Sequence, residues 1–260
     1  PHMRAFIALL LSCVLSVCIV QASDLDKEKR WADQIVDALI DGEAEWLQAV
    51  DVEFLGIYTE ADEPSGRAAL VLHGVGVHPN WPQVVQPLRA GLPSHGWDTL
   101  SLQMPVLPNE AEHKDYAPLF EEVAPRIRAG VALLREKGAK EIVIVAHSLG
   151  AAMASYYLAG GPPDVAALVG IGMSGGEDDS RMDNVVSLAK VRVPVLDLYG
   201  QNDLDDVVST AADRAKAAAG NPAFSQVQVP DADHFFDGQE AALQEVVAGW
   251  LDETVPPTAE

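Results

Sequence analysis

One short segment constrains the fold of this chain more than any other. Residues 142–146 are all apolar, and within two positions the chain reaches Ser148 and a stretch rich in alanine. A strand that turns so abruptly into a helix strains the residue at the turn, and bulky side chains two positions before or after it would collide. Those positions hold Ala146 and Gly150. The segment therefore predicts a strand, a tight turn at Ser148 and a helix.

The same alternation extends along most of the chain. Short apolar runs are separated by segments whose apolar residues recur at helical spacing. The runs predict strands at residues 52–58, 68–72, 97–104, 141–146, 165–171, 193–199 and 224–229. The intervening segments predict helices at 81–92, 116–137, 149–159, 206–219 and 239–251. Apolar strands that alternate with helices are typical of a mostly parallel central sheet with helices on both faces.

The N-terminal residues predict an export signal. Arg4 precedes an apolar run over residues 5–20, which is followed by the small residue Ala22. This pattern is typical of a signal peptide, and we predict cleavage after Ala22. The two residues before Met3 are interpreted as a cloning remnant, so residues 1–22 form a tag remnant plus signal peptide.

Two alternatives for this segment stay open. The residues up to Cys18 faintly resemble a lipoprotein cleavage site, but Val17 is larger than the small residue expected there. The run could also act as an uncleaved anchor, although a span needs about 20 apolar residues. Both cysteines, Cys13 and Cys18, precede the predicted cleavage, so the mature chain needs no disulfide. We expect an exported protein, periplasmic or secreted, without a stable membrane span after cleavage.

Charge excludes one class of partner. The formal net charge is −22 and the sequence pI is about 4.5. Such a chain repels phosphate backbones and anionic lipid headgroups, so we expect no nucleic-acid partner.

We predict a helical segment at residues 23–51 and a single catalytic domain at residues 52–260.

Three side chains follow predicted strands where chemistry is expected. Ligands of such sheets bind beyond the carboxyl ends of the strands, and Ser148, Asp203 and His234 each lie just past one. A carboxylate can orient a histidine that removes the proton from a serine hydroxyl. We predict Ser148 as nucleophile, His234 as general base and Asp203 as the carboxylate that orients His234. The alternative for Ser148 is a helix cap without catalytic function.

A glycine-rich loop follows the strand at residues 68–72. Acyl transfer needs two backbone N–H donors that face the developing oxyanion. We predict the N–H groups of Leu149 and Val75 as these donors, with Gly74 or Gly76 as alternatives to Val75. His73, at the start of this loop, is more often structural than catalytic.

Further side chains are candidates for the substrate pocket. They are His73, Gly74, Gly76, His78, Trp81, His147, Met173 and Ser174. The loop at 106–118 either rims this pocket or is a solvated surface loop. The connection at 174–192 is too short for a multi-helix cap, which predicts a fairly open cleft. Since the histidines lack the spacing of metal ligands, we expect no metal and no cofactor.

Four motifs together resemble the α/β-hydrolase superfamily. They are Ala-His-Ser-Leu-Gly at 146–150, Leu-His-Gly at 72–74, Gly-x-x-Asp at 200–203 and Asp-His-Phe at 233–235. The resemblance covers about residues 52 to 251. Residues 78–82 and 96–105 are similar to a proteobacterial α/β-hydrolase family catalogued as a domain of unknown function. That family implies the fold and an exported protein, and it leaves the substrate open.

The order Ser-Asp-His along the chain matches this superfamily and indicates acyl transfer to water. We expect a serine hydrolase that cleaves carboxylic esters with small or medium acyl groups through an acyl-enzyme. A peptidase or thioesterase with the same triad is an alternative, and so is a non-catalytic envelope binding protein on the same fold. The expected partner is a small acyl ester, and the sequence does not predict an oligomeric state.

Overall fold

The structure, a computed structural model, describes residues 22–161 and 164–257. The strands in this part are β1 (Glu43–Ala49), β2 (Val52–Thr59), β3 (Arg67–Leu72), β4 (Trp97–Leu102), β5 (Glu141–His147), β6 (Ala167–Ile171), β7 (Val195–Asn202) and β8 (Phe224–Asp233). The α-helices are α1 (Leu25–Ala38), α2 (Val85–Gly91), α3 (Phe120–Glu136), α4 (Leu149–Ala159), α5 (Asn184–Leu188), α6 (Asp205–Ser209), α7 (Ala211–Ala217) and α8 (Glu240–Thr254). Turns of 3₁₀-helix lie at Leu92–His95, His113–Leu119 and Ala218–Gly220.

These strands form one sheet in the order β1-β2-β4-β3-β5-β6-β7-β8. The pairs β1–β2 and β2–β4 are antiparallel, whereas β3–β4, β3–β5 and every pair from β5 to β8 are parallel. The predicted mostly parallel sheet is confirmed. Because β3, β5, β6, β7 and β8 run the same way, their carboxyl ends lie at one edge of the sheet.

Side-chain alternation along the central strands builds a core on each face. In β5, Ile142 and Ile144 belong to the cluster that includes side chains of α3 and α4. Val143 and Val145 belong to the other cluster, with side chains of α2 and α8. A strand covered on both faces must be apolar at every position, which explains the unbroken apolar run.

The prediction of a purely helical segment at residues 23–51 is wrong in its second half. Helix α1 ends at Ala38, and β1 follows and pairs with β2 at the edge of the sheet. Only two of its seven residues are buried, and Trp46 is half exposed. An edge strand needs no apolar run, so its sequence lacks the signal that marks the central strands.

Several helix boundaries also differ from the prediction. Helix α2 begins only at Val85, after Val84 at a φ of 61°. The helix predicted at 206–219 is divided into α6 and α7 at Thr210. The helix predicted at 116–137 begins with a 3₁₀ segment before α3.

The N-terminal helix is fastened to the domain by a buried ion pair. Arg126 of α3 donates from Nη1 and Nη2 to the two carboxylate oxygens of Glu28, at 2.8 and 3.0 Å. Lys27 also donates from Nζ to the carbonyl of Leu107 at 2.8 Å. The predicted signal peptide before Ala22 lies outside the described residues. No helix among the described residues is both long enough and apolar enough to cross a membrane.

A second buried ion pair lies between β7 and α7. The side chains of Asp197 and Arg214 have no solvent exposure, and Arg214 Nε donates to Asp197 Oδ2 at 2.8 Å. Gln226 of β8 donates to the same oxygen at 2.8 Å. Burial raises the pKa of Asp197, while the neighbouring guanidinium and amide act against that shift. The arrangement ties one helix to two adjacent strands.

Replacing Arg214 should destabilise the fold strongly. Arg214→Met leaves the Asp197 carboxylate buried without its cation, which we expect to lower the free energy of unfolding by about 3–5 kcal/mol. The double variant Asp197→Asn/Arg214→Met removes the buried charge and should recover a large part of that loss. Urea denaturation of both variants measures the difference. Equal losses would attribute the effect to packing rather than to the unpaired charge.

Candidate active site

Ser148 lies at the sharp turn between β5 and α4. Its backbone has φ 53° and ψ −122°, and its N–H donates to the carbonyl of Ile171 at 2.8 Å. Its side chain makes no capping hydrogen bond to α4, so the helix-cap alternative has no support. At Gly150 any Cβ would collide with the carbonyl oxygens of His73 and Leu72. The turn therefore needs glycine at this position because the end of β3 packs directly against the start of α4.

His234 and Asp203 meet at the same edge of the sheet. His234 Nδ1 lies 2.5 Å from Asp203 Oδ1, and both side chains are almost fully buried. The N–H groups of Leu204 and Gly200 donate to Asp203 at 2.8 and 3.2 Å. Burial alone would raise the pKa of Asp203, but the hydrogen bonds from His234 and the two amides lower it below its ordinary value. Asp203 is therefore a carboxylate that accepts from the imidazole.

The ends of β7 and β8 bring these two residues together. A register irregularity lies between Gly200 and Asn202, beyond which Asn202 pairs with Asp233. A side chain at Gly200 would collide with the carbonyl of Ala232. The two loops leave the sheet in close contact, and each carries one member of the hydrogen-bonded pair.

His147 fixes the backbone of the His234 loop. Its ring lies 4.7 Å from the ring of His234, and its Nε2 is 2.9 Å from the His234 carbonyl oxygen. Because that carbonyl can only accept, Nε2 carries the hydrogen. Burial lowers the pKa of His147 to about 4, so the ring is neutral near pH 7. The residue before Ser148 thus holds the loop that carries His234.

The loop after β3 passes close to Ser148. A Cβ at Gly74 would lie 3.3 Å from Ser148 Cβ and 3.4 Å from His147 Nδ1. Val75 and Leu149, the predicted oxyanion donors, both line the cavity beside Ser148. Their roles as donors stay a prediction.

His73 lies under this loop and has a structural arrangement. Its Nδ1 is 2.8 Å from the Gly74 carbonyl, and its Nε2 accepts from the N–H of Met104 at 2.9 Å. Gln103 Nε2 lies 3.0 Å from the same ring nitrogen. Complete burial lowers the pKa of His73 to about 3. The neutral ring therefore joins the loop after β3 to the end of β4.

A cavity of about 600 Å³ opens above Ser148. Its apolar wall consists of Val75, Val77, Trp81, Leu149, Ala152, Leu204, Val207 and Phe235. Its polar lining consists of Gln83, His113, His147, Ser148, Ser174, Glu177, Asp206 and His234. Glycines 74 and 172 complete the lining.

The predicted pocket residues divide into two groups. Gly74, Trp81, His147 and Ser174 line the cavity, whereas His73, Gly76, His78 and Met173 do not. His78 packs edge-on against Trp31 and Trp81, with ring centroids 5.3 and 5.4 Å away. Met173 is fully buried and occupies the space beside Gly170. Met173 therefore points into the protein, whereas His78 is partly buried between the two tryptophans.

Most residues that the pocket prediction missed come from segments later in the chain, whereas Val77 and Gln83 lie between β3 and α2. Glu177 follows β6, while Leu204, Asp206 and Val207 follow Asp203 and Phe235 follows His234. The signal that could have found them is their place directly after strand ends that already carry a site residue. His113 comes from the loop at 106–118, so that loop contributes to the rim.

The chain matches the family model described as "Protein of unknown function (DUF3530)" over residues 19–118 and 108–253. No curated protein matches. Solved structures with the same fold include a dienelactone hydrolase from Anabaena variabilis, with 19% identity over 82% of this chain and 98% of that chain and a TM-score of 0.67.

Two further solved structures share the fold. Est1E from Butyrivibrio proteoclasticus is 15% identical over 83% of this chain and 99% of its own, with a TM-score of 0.65. An α/β serine hydrolase without lid from Xanthomonas campestris is 17% identical over 84% and 97%, with a TM-score of 0.63. The fold is that of the α/β hydrolases, as the motifs predict. Among the described residues, α5 is the only helix in the connection between β6 and β7.

A methyl group at Gly172 should displace His234. Gly172 has a φ of +63°, and a Cβ there would lie 2.8 Å from His234 Cε1 and 2.9 Å from Nδ1. We expect Gly172→Ala to break the His234–Asp203 hydrogen bond and to remove its downfield Nδ1 proton resonance in NMR spectra. Gly176→Ala is the control, because Gly176 has a φ of +76° but open space around its Cβ position. It should cost about 1–2 kcal/mol of backbone strain and keep the resonance.

Acid should destabilise the protein through His73. Its pKa is about 3 in the folded state and 6.5 ordinarily, so the unfolded chain takes up the proton first as the pH falls. The stability contributed by the neutral ring is complete above pH 6.5 and is lost towards pH 3. At pH 4.5 the free energy of unfolding is therefore about 2–3 kcal/mol lower than at pH 7 on account of His73.

His73→Gln should remove this part of the pH dependence, even though the variant is less stable at pH 7. Urea denaturation at pH 7 and pH 4.5 measures the difference in unfolding free energy between the two pH values. His95→Gln is the control for loss of an imidazole, because His95 is exposed. An unchanged difference between the two pH values in His73→Gln would contradict the prediction.

Proposed function

The chain belongs to the DUF3530 family, and on that premise we propose that it is a serine hydrolase acting on carboxylic esters with small or medium acyl groups. One observation carries the proposal. Ser148 and His234 line the same cavity, and His234 is hydrogen-bonded to the Asp203 carboxylate at 2.5 Å. A nucleophile, a base and a group that orients the base are the components of serine acyl transfer.

The chemistry follows from the hydrogen bonds of His234. Its Nδ1 is held by Asp203, so Nε2 is the nitrogen available to take the proton from Ser148. Ser148 attacks the ester carbonyl while His234 accepts that proton and then gives it to the departing alcohol. Water hydrolyses the resulting acyl-enzyme by the same route in reverse. Asp203 stays ionised and stabilises the imidazolium.

Acyl transfer also requires hydrogen-bond donors that stabilise the oxyanion, and backbone N–H groups supply them. The N–H groups of Leu149 and Val75 are assigned to the oxyanion of the tetrahedral intermediate. Two facts support the assignment: both residues line the cavity, and the loop at Gly74 lies against Ser148. Leu149 is also the first residue of α4, where the helix dipole favours negative charge.

The size of the cavity supports small or medium acyl groups. A volume of about 600 Å³ falls within the usual range for small-molecule sites. Its mostly apolar wall suits a hydrocarbon acyl chain, and the short α5 is the only helix described between β6 and β7. The solved structures that share the fold include a dienelactone hydrolase and an esterase domain, which agrees with ester chemistry on this fold.

Removing the nucleophile should abolish activity. We expect the wild type to hydrolyse p-nitrophenyl butyrate and to be labelled covalently by a fluorophosphonate probe. Ser148→Ala should lower kcat by at least about 10³-fold, because triad catalysis depends on the nucleophile. It should also lose the label.

Ser94→Ala is the matched control, since Ser94 is an exposed serine that donates to the Gly91 carbonyl and does not line the cavity. Its turnover and labelling should equal those of the wild type. Equal turnover by the wild type and Ser148→Ala, without a covalent adduct, would refute the proposed function.

A further inference from the structure

The cavity above Ser148 carries acidic side chains and no permanently basic ones. Glu177 and Asp206 are the carboxylates in its lining, and no lysine or arginine of the described residues contributes to it. Glu177 accepts from Ser174 Oγ at 3.3 Å, and its Oε2 lies 3.8 Å from His113 Nδ1. Its side chain is 21% exposed, so water screens it only partly.

Basic residues close to these in sequence are already paired. Arg181, four positions after Glu177, lies 2.7 Å from Asp179 and 3.8 Å from Glu121. Lys114, next to His113, lies 2.7 Å from Glu112. Neither cation is available to neutralise a negative charge inside the cavity without giving up its own partner.

The remaining lining suits a cation that is only weakly hydrated. Trp81 and Phe235 present aromatic side chains to the cavity beside aliphatic ones. An aromatic ring attracts a cation over its face, and it does so most strongly when the cation is desolvated. The two carboxylates and the aromatic lining therefore favour the same kind of group.

We propose that the cavity selects esters by charge: it prefers esters whose alcohol carries a quaternary ammonium group, accepts neutral ones less well and rejects those bearing a carboxylate. This inference rests on the proposed function, because it names the substrate class of the same site. Glu177 and Asp206 are its specificity-determining residues.

The competing explanation is the charge of the whole chain. A net charge of −22 attracts cations to every part of the surface, and salt screens that attraction over roughly 8–10 Å. Local selection by two carboxylates must disappear when those two are neutralised. The local selection must survive when the carboxylates of neighbouring residues outside the cavity are neutralised.

Three esters with the same acyl group test the proposal. They are butyrylcholine, its uncharged isostere 3,3-dimethylbutyl butyrate, and the anionic 3-carboxypropyl butyrate. All three form the same butyryl-enzyme, so differences in kcat/KM report binding and acylation alone. We expect kcat/KM for butyrylcholine to exceed kcat/KM for the neutral isostere by about five- to tenfold. We expect kcat/KM for the anionic ester to be about fivefold lower than kcat/KM for the neutral isostere.

Variants separate the local effect from the overall charge. Glu177→Gln/Asp206→Asn should bring the ratio of butyrylcholine to neutral isostere to within about twofold of unity. Asp178→Asn/Asp205→Asn is the matched control, because it removes two charges from adjacent residues that do not line the cavity. It should keep the wild-type ratio. Equal ratios in the two double variants, or equal kcat/KM for all three esters in the wild type, would overturn the proposal while leaving the esterase function intact.

Binding provides a readout that needs no turnover. Calorimetric titration of Ser148→Ala with each of the three esters should give the same order of affinity. If the wild type hydrolyses none of the three esters, this titration still decides the selectivity, while the p-nitrophenyl butyrate and fluorophosphonate experiments decide the proposed function. Equal affinities for the three esters would overturn the proposed charge selectivity.

Discussion

The whole site depends on the close contact between the end of β3 and the start of α4. That contact requires the backbone at Gly150 to lie against the carbonyl groups of Leu72 and His73, and it leaves Ser148 at a φ of 53°. Such a conformation costs on the order of 1–3 kcal/mol and persists only where the surroundings enforce it. Here they do: β5 is buried on both faces, and Ser148 N–H is bonded to Ile171.

The rest of the site is assembled around this turn by short hydrogen bonds. His147 binds the carbonyl of His234, and Asp203 binds the ring of the same residue. His234 is therefore held through its backbone by the last residue of β5 and through its side chain by the residue that follows β7. Gly172 leaves room for that ring, since the Cβ of any larger residue would lie only 2.8 Å from His234 Cε1. Proximity of this kind is what converts a weakly nucleophilic hydroxyl into a candidate catalyst.

The sequence predicted those features whose physical cause is local. Unbroken apolar runs identify strands that are buried on both faces, and Ser148 stands directly after such a strand, β5. Asp203 follows β7, which is buried apart from its last two residues, and His234 follows the partly exposed edge strand β8. Strand β1 was missed because an edge strand with an exposed Trp46 has no such run. Met173 was misplaced among the pocket residues because the direction of a side chain after a strand depends on the packing of other elements. Glu177 and Asp206 come after strand ends, but whether they line the cavity depends on how the connection after β6 and helix α6 pack beside Ser148.

The buried pair of Asp197 and Arg214 explains why one wall of the cavity has a defined position. Arg214 donates to the carbonyl of Val207 at 2.8 Å and to Thr210 Oγ1 at 2.9 Å, where α6 and α7 meet. Val207 lines the cavity, and α6 begins two residues after Asp203. An apolar pair could fill the same space at little cost in stability, but it could not donate hydrogen bonds in fixed directions. The ion pair is thus explained better by orientation than by stability: β7 anchors the cavity wall through Asp197 and presents Asp203 to His234 at its end.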